Sequence, residues 1–255
     1  MSLSSNSVVH FTRSEEFLRG IVSDGFRVKY CRETVPTSWG SSLNIHVPMV
    51  SFCDIPFSKI TKHIDDYGCY GIGLTRDWAK RSRLNPVLYV QSESMLMESY
   101  SKVASSVLNE IEARVKDGRS TKRILEIESR LWDIFRYIKP YEGDAQRKSG
   151  AVDKGRRFSD EREWRYVPAI DSSCVPYYYD PEFEDDDAPS EAARSVCEIR
   201  LKFEPKDIKY LILKADDEIA GFLGYLSSLS GKYQEKDLQI LATRIITAEQ
   251  IKSDF

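Results

Sequence analysis

The chain has 255 residues, with 40 Asp and Glu against 37 Lys and Arg and a formal charge of −3. A chain of this size buries enough surface to fold without metals or disulfides. Hydrophobics at 41% and aromatics at 11% exclude a disordered chain, and the near-neutral balance gives no global case for a nucleic-acid binder. No apolar run approaches a membrane span and no basic-then-apolar leader opens the sequence, so a soluble, globular, cytoplasmic protein without membrane contact is expected.

In chain order, residues 7–11 read as a strand that runs into a helix capped by Thr12 or Ser14. Phe17, Leu18, Ile21 and Val22 share one face of that helix, and Gly25 stops it. Thr12 and Glu15 have the spacing of a capping box. Phe26, Val28 and Tyr30 alternate as a strand, a polar loop is expected to about residue 46, and Pro48 opens the apolar run Met49 to Phe52. From Pro56 a helix places Ile60, His63, Ile64 and Tyr67 on one face. A strand over 70–75, a short helix over 76–83 around Trp78, a turn at Asn85-Pro86 and a strand over 87–91 follow.

The middle of the chain changes character. Leu96, Tyr100, Val103, Val107, Ile111 and Val115 form one helical stripe, and Ile124, Ile127, Leu131, Ile134 and Ile138 form a second that Lys139-Pro140 stops. The spacing predicts a helical hairpin inserted over residues 93–140. A basic loop over 141–160 comes next, then a strand over 162–167 and an acidic loop over 171–195, both loops reading most simply as solvated surface. Residues 197–203 alternate as a strand, 210–213 form another, 216–229 a helix, 237–246 a last strand, and 247–251 a helical turn capped by Thr247. Strands on both sides of a helical block give a single α+β domain spanning 1–255.

Five cysteines, Cys31, Cys53, Cys69, Cys174 and Cys197, form no C-x-x-C pair, and His10, His46 and His63 form no ligand cluster, so no metal is expected. Glu161-Arg162-Glu163-Trp164-Arg165 is the most unusual segment. On a strand Glu161 and Glu163 point the same way, and two carboxylates buried side by side need a cation, hydroxyls or a ligand. The simpler reading sets the pair on a solvated face, with Trp164 and Tyr166 in the core. His10-Phe11-Thr12 stands at a strand end, where a His and a hydroxyl can bond a ribose or an amide. In Tyr67-Gly68-Cys69-Tyr70-Gly71, the glycines suit either close approach to a flat ring or a tight turn.

Taken together, several segments resemble the AbiGi family of bacterial abortive-infection, antiphage proteins. They are His10-Phe11-Thr12, Val50-Ser51-Phe52-Cys53-Asp54-Ile55-Pro56, Tyr67 to Leu74, Asn85 to Val90, Glu161 to Arg165 and Glu249 to Phe255. That resemblance implies a toxin–antitoxin setting, with a cognate toxin or another defence protein as partner.

A more distant resemblance is to mono-ADP-ribosyltransferases of the DarT type. It implies a split β-core of that fold with an inserted hairpin, and NAD as substrate. It further implies that His10, Phe11 and Thr12 bind the cofactor's ribose or amide and that Tyr67 or Tyr70 stacks on the nicotinamide. Glu163 would hold the ribose 2′-hydroxyl and Glu161 would orient the acceptor, which is a macromolecule or water. On this reading Glu163→Gln abolishes activity and leaves the fold intact. The antitoxin reading needs no turnover, since fold does not fix function.

Overall fold

The computed structural model describes residues 5–36, 42–146, 152–169, 174–179, 196 and 198–254. Its first strand, β1 (Ser7–Thr12), is not at an edge: it lies between β4 (Ser42–Cys53) and β5 (Tyr70–Thr75) and is antiparallel to both. The sheet runs β15-β14-β5-β1-β4-β11-β6, where β6 is Asn85–Pro86, β11 is Glu163–Tyr166, β14 is Ile208–Leu213 and β15 is Ile245–Thr247. β3 (Lys29–Pro36) and β12 (Tyr178–Tyr179) also pair with β4. Among the described residues, only β14 and β15 run parallel in this sheet.

Strand alternation divides the core in two. Val8 and Ile72 point to one face, with Phe52, and there meet Leu18 and Val22 of α1 (Glu15–Asp24), Trp78 of α3 (Arg76–Arg81) and Phe222 of α6 (Ile219–Ser228). Val9, Phe11 and Cys53 point to the other, against Ile60, Ile64 of α2 (Thr61–Tyr67) and Ile251 of α8 (Ala248–Asp254). A third cluster continues that second face along β4, where Val47 and Met49 meet Met97, Phe135 and Ile138.

Met97 and Phe135 belong to the helical hairpin, α4 (Met95–Lys116) and α5 (Lys122–Phe135). The Tyr100 hydroxyl donates to the Leu131 carbonyl at 2.8 Å, which ties the start of α4 to the end of α5 and fixes the antiparallel register. The hairpin leaves from β7 (Leu88–Val90) and returns at β8 (Ile138–Pro140), and these two strands pair in parallel as a separate two-stranded sheet. A parallel pair requires a crossover, and the hairpin is that crossover. Ile138 and Lys139 are therefore strand residues, not the end of the second helical stripe.

Other expectations are corrected. The polar loop before residue 46 is mostly strand: β3 and β4 pair from Lys29↔Met49 to Pro36↔Ser42, and Leu43, Ile45, Val47 and Met49 alternate along β4, a period-two signal that the polar residues between them obscure. Val28 separates β3 from β2 (Phe26–Arg27) by giving its amide to the Ile199 carbonyl at 3.3 Å. Asn85-Pro86 is a short strand against Trp164 and Arg165. The described part of the basic loop is a ribbon of β9 (Glu142–Gln146) and β10 (Val152–Arg157). The acidic stretch over 180–195 lies outside the described residues. Of the strand expected over 197–203, Cys197 does too, and β13 (Arg200–Leu201) alone pairs with β2.

The last strand expected over 237–246 begins instead as α7 (Glu235–Ala242), because Leu238 and Leu241 are buried at helical spacing. Two caps do form where expected. Ser14, rather than Thr12, accepts from the Phe17 amide at 3.3 Å. Thr247 caps α8 by accepting from the Gln250 amide, while the Gln250 side chain accepts from the Thr247 amide.

Candidate functional site

The strand expected over 162–167 starts at Glu163, and this shift decides the geometry. Glu161 ends a 3-10 turn (Phe158–Glu161), and Arg162 takes a left-handed conformation at φ 46°, ψ 49°. The kink means Glu161 and Glu163 are not strand neighbours on one pleat, yet both carboxylates turn inward and both are buried. The solvated-face reading is overturned, while Trp164 and Tyr166 are half-buried and pack against the core.

Cations hold the pair. The Lys139 ammonium donates to Glu161 Oε2 and to Glu163 Oε2, at 2.8 Å each. Arg156 of β10 reaches Glu161 Oε1 at 2.9 Å and Asp66 at 3.0 Å. Arg165 is 1% exposed and forks onto Glu163, with Nε to Oε1 at 2.6 Å and a terminal nitrogen to Oε2 at 3.2 Å, and it also pairs with Glu33 at 2.8 Å. The Ser51 hydroxyl adds a bond to Glu163 Oε1 at 2.8 Å. Register explains these partners: Arg165 stands directly opposite Ser51, and Glu163 opposite Cys53, on the same sheet face.

Burial alone would raise the Glu163 pKa, but Arg165 and Lys139 beside it hold the carboxyl far below the usual range. Burial would likewise lower Lys139, and Glu163, Glu33 and Glu161 overcome it and hold the ammonium well above the ordinary value. Each oxygen of Glu163 accepts two hydrogen bonds, so all four lone-pair positions of the carboxylate are filled. Glu161 Oε1 accepts from the Tyr67 hydroxyl at 3.1 Å, and Lys139 takes one position on its Oε2. Tyr67 is 39% exposed and its ring lies 4.3 Å from that of His63, so Glu161 is the carboxylate nearest to solvent-facing groups. Burial lowers His63 to about 4.

The sequence-derived site residues fall on two sides of the sheet. Phe11 lies on the Glu163 side, with its ring 5.6 Å from His63. His10 lies on the other, packed against Phe26 and Phe52 at 5.2 and 5.7 Å, with Nδ1–H donating to the Ser51 carbonyl at 2.8 Å. Burial lowers its pKa as well. Thr12 alternates with Phe11 onto the His10 side. Tyr70 packs in the same core as His10's neighbours and donates to Glu218 at 2.6 Å. The structure thus brings together Tyr67, Glu161 and Glu163, and keeps His10, Thr12 and Tyr70 apart from them.

Sequence reasoning missed Lys139, Ser51 and Tyr89, whose hydroxyl accepts the Glu163 amide at 2.8 Å. Arg165 alone had a local signal, since it stands two residues after Glu163 on one strand face. Among the described residues no group of three or more acidic, His or Cys side chains is placed to hold a metal, and no helix is long and apolar enough to cross a membrane.

A buried ion cluster at the root of an inserted hairpin defines a mixed α/β protein whose carboxylates are held by protein cations. By sequence the chain belongs to the AbiGi family: residues 25–214 match the family model described as "Putative abortive phage resistance protein AbiGi, antitoxin". It is 26% identical over 234 residues to the abortive phage resistance protein AbiGi of Lactococcus lactis subsp. cremoris, covering 82% of this chain and 89% of that one. No solved structure matches.

Proposed function

We propose that this chain acts in abortive infection as a non-catalytic antitoxin that restrains a cognate toxin by direct contact. The observation that carries the reading is the saturation of Glu163. A carboxylate with four protein donors has no lone pair left for a ribose hydroxyl, and freeing one means breaking a buried ion pair. The separation of His10 from Glu163 across the sheet and the antitoxin description of the family support it further.

A second reading keeps one foothold. The Tyr67–Glu161 hydrogen bond beside His63, with Tyr67 39% exposed, is the place where an NAD-consuming ADP-ribosyltransferase or NAD glycohydrolase would act, with Glu161 rather than Glu163 carrying the charge. One pair of measurements separates the two. The purified chain is incubated with NAD and with labelled ADP-ribose donor, and the chain is co-expressed with the toxin encoded beside its gene. The antitoxin reading expects no NAD loss, together with rescue of growth that survives Glu161→Gln. NAD turnover that Glu161→Gln removes would establish the enzyme instead.

A further inference from the structure

Both ends of the inserted hairpin meet the main sheet at Glu163. On the β7 side the Tyr89 hydroxyl accepts the Glu163 amide at 2.8 Å, and Val87 donates its own amide to the Glu163 carbonyl at 3.0 Å. On the β8 side the Lys139 ammonium reaches the Glu163 carboxylate, and the Arg136 carbonyl accepts from Arg165 at 2.9 Å. The insertion's backbone pairing is otherwise its own. Among the described residues β7 and β8 pair with each other and with no other strand, and the Leu88 and Tyr141 amides donate to Tyr137 and Val90. Its apolar attachment is Val90, Met97, Phe135 and Ile138, which pack along β4. On its far side the Trp132 ring lies 3.9 Å from that of Tyr177, and Arg136 donates to the Pro168 carbonyl at 3.0 Å.

Lifting the insertion away strands no charge. Glu163 keeps Arg165 and Ser51, Glu161 keeps Arg156 and Tyr67, and Arg136 keeps Asp133 of its own helix at 2.5 Å. Lys139 alone crosses from the cluster into water. An ion pair whose members are rehydrated or still paired after separation adds little net attachment, and supersecondary units of this kind open below the global unfolding free energy. The position Lys139 leaves is shaped. Glu161 Oε2 and Glu163 Oε2 each stand 2.8 Å from its nitrogen, and the centre of the Phe158 ring lies 5.4 Å from the same atom. Two carboxylate oxygens accept N–H groups there and an aromatic ring attracts the charge, which together suit a primary ammonium. We propose that residues 88–140 open as a unit, that Glu161, Glu163 and Phe158 form an ammonium-binding site, and that Lys139 is the internal ligand that keeps it closed. The ligand class is a primary alkylammonium.

The test is amide hydrogen exchange of the unaltered full chain, followed by NMR in propylammonium chloride and in sodium chloride at equal ionic strength. The Glu163 amide loses the Tyr89 hydroxyl when β7 moves off, so it should exchange through a state more populated than the globally unfolded one. Propylammonium should speed that exchange by roughly threefold once it exceeds twice its dissociation constant from the open form. Amides of β1 should not respond, and tetramethylammonium, which has no N–H to donate, should act as sodium does. Lys139→Ala removes the internal ligand and leaves room for the carbons and nitrogen of propylammonium. Its urea midpoint should fall, and propylammonium but not tetramethylammonium should raise it again. Glu163 exchange that occurs only with global unfolding overturns the opening, and a Lys139→Ala chain indifferent to propylammonium overturns the site. Where that variant fails to fold, a Glu163 amide in the unaltered chain that ignores propylammonium overturns the proposal by itself.

Discussion

A carboxylate with four donors is neither an idle surface group nor an easy one to replace. Gln at position 163 keeps the shape but offers one oxygen, and it turns an amide NH2 toward the donors of Arg165 or Lys139. Two buried cations then lose their shared counter-charge. Glu163→Gln is therefore expected to cost about 3–5 kcal/mol, read as a lower urea midpoint at unchanged slope. The expectation that this change leaves the fold intact is thereby reversed: an activity loss in that variant would report on stability first. His63 gives a separate signature. Its pKa is lowered from 6.5 to about 4 in the fold by burial, so the unfolded chain binds a proton there across that interval and the folded chain does not. Stability is complete above pH 6.5 and falls as the pH is lowered toward 4. His63→Phe, which preserves the ring contacts with Phe11 and Tyr67, should flatten the slope of unfolding free energy between pH 6.5 and about 5. The slope is not abolished, because His10 is also held low.

At the scale of elements, the turn between α2 and β5 rests on Gly68. Its φ is 126°, and a Cβ there would sit 2.2 Å from the Thr12 carbonyl oxygen. Gly68→Ala should cost about 2–4 kcal/mol, since both the backbone conformation and the close approach forbid it. Gly224 lies inside α6, where an added Cβ would meet nothing within 4 Å, so Gly224→Ala should stabilise by about 0.5–1 kcal/mol. Thermal denaturation of the two variants, measured together, checks both signs. The same contrast explains what could be read beforehand. The stop at Gly25, the Thr247 cap and the two stripes of the hairpin depend on residues a few positions apart, so they were legible. β7 with β8 and the meeting of Lys139 with Glu161 depend on pairing between separated segments whose local patterns are polar or too short. The Glu-x-Glu segment was recognisable as unusual, but the left-handed Arg162 that turns both carboxylates inward leaves no mark in the alternation.

For the whole molecule, the position of β1 has a consequence in time. The central strand precedes the other described strands in chain order and its own neighbours β4 and β5 follow it closely, whereas the next strands out arrive late: β11 reaches β4 from residue 163, and β14 closes on β5 from residue 208. The hairpin between them is built from local contacts and can form as soon as it is made. A nascent chain therefore carries a finished pair of helices beside an unfinished sheet. Lys139 and Arg156 are in hand before the carboxylates of Glu161 and Glu163 emerge to neutralise them. The sheet is therefore begun by β1, β4 and β5 before the hairpin is made and is finished only after it, by β11 and β14, so the chain passes through a stage in which the cations of the ion cluster stand without their carboxylates.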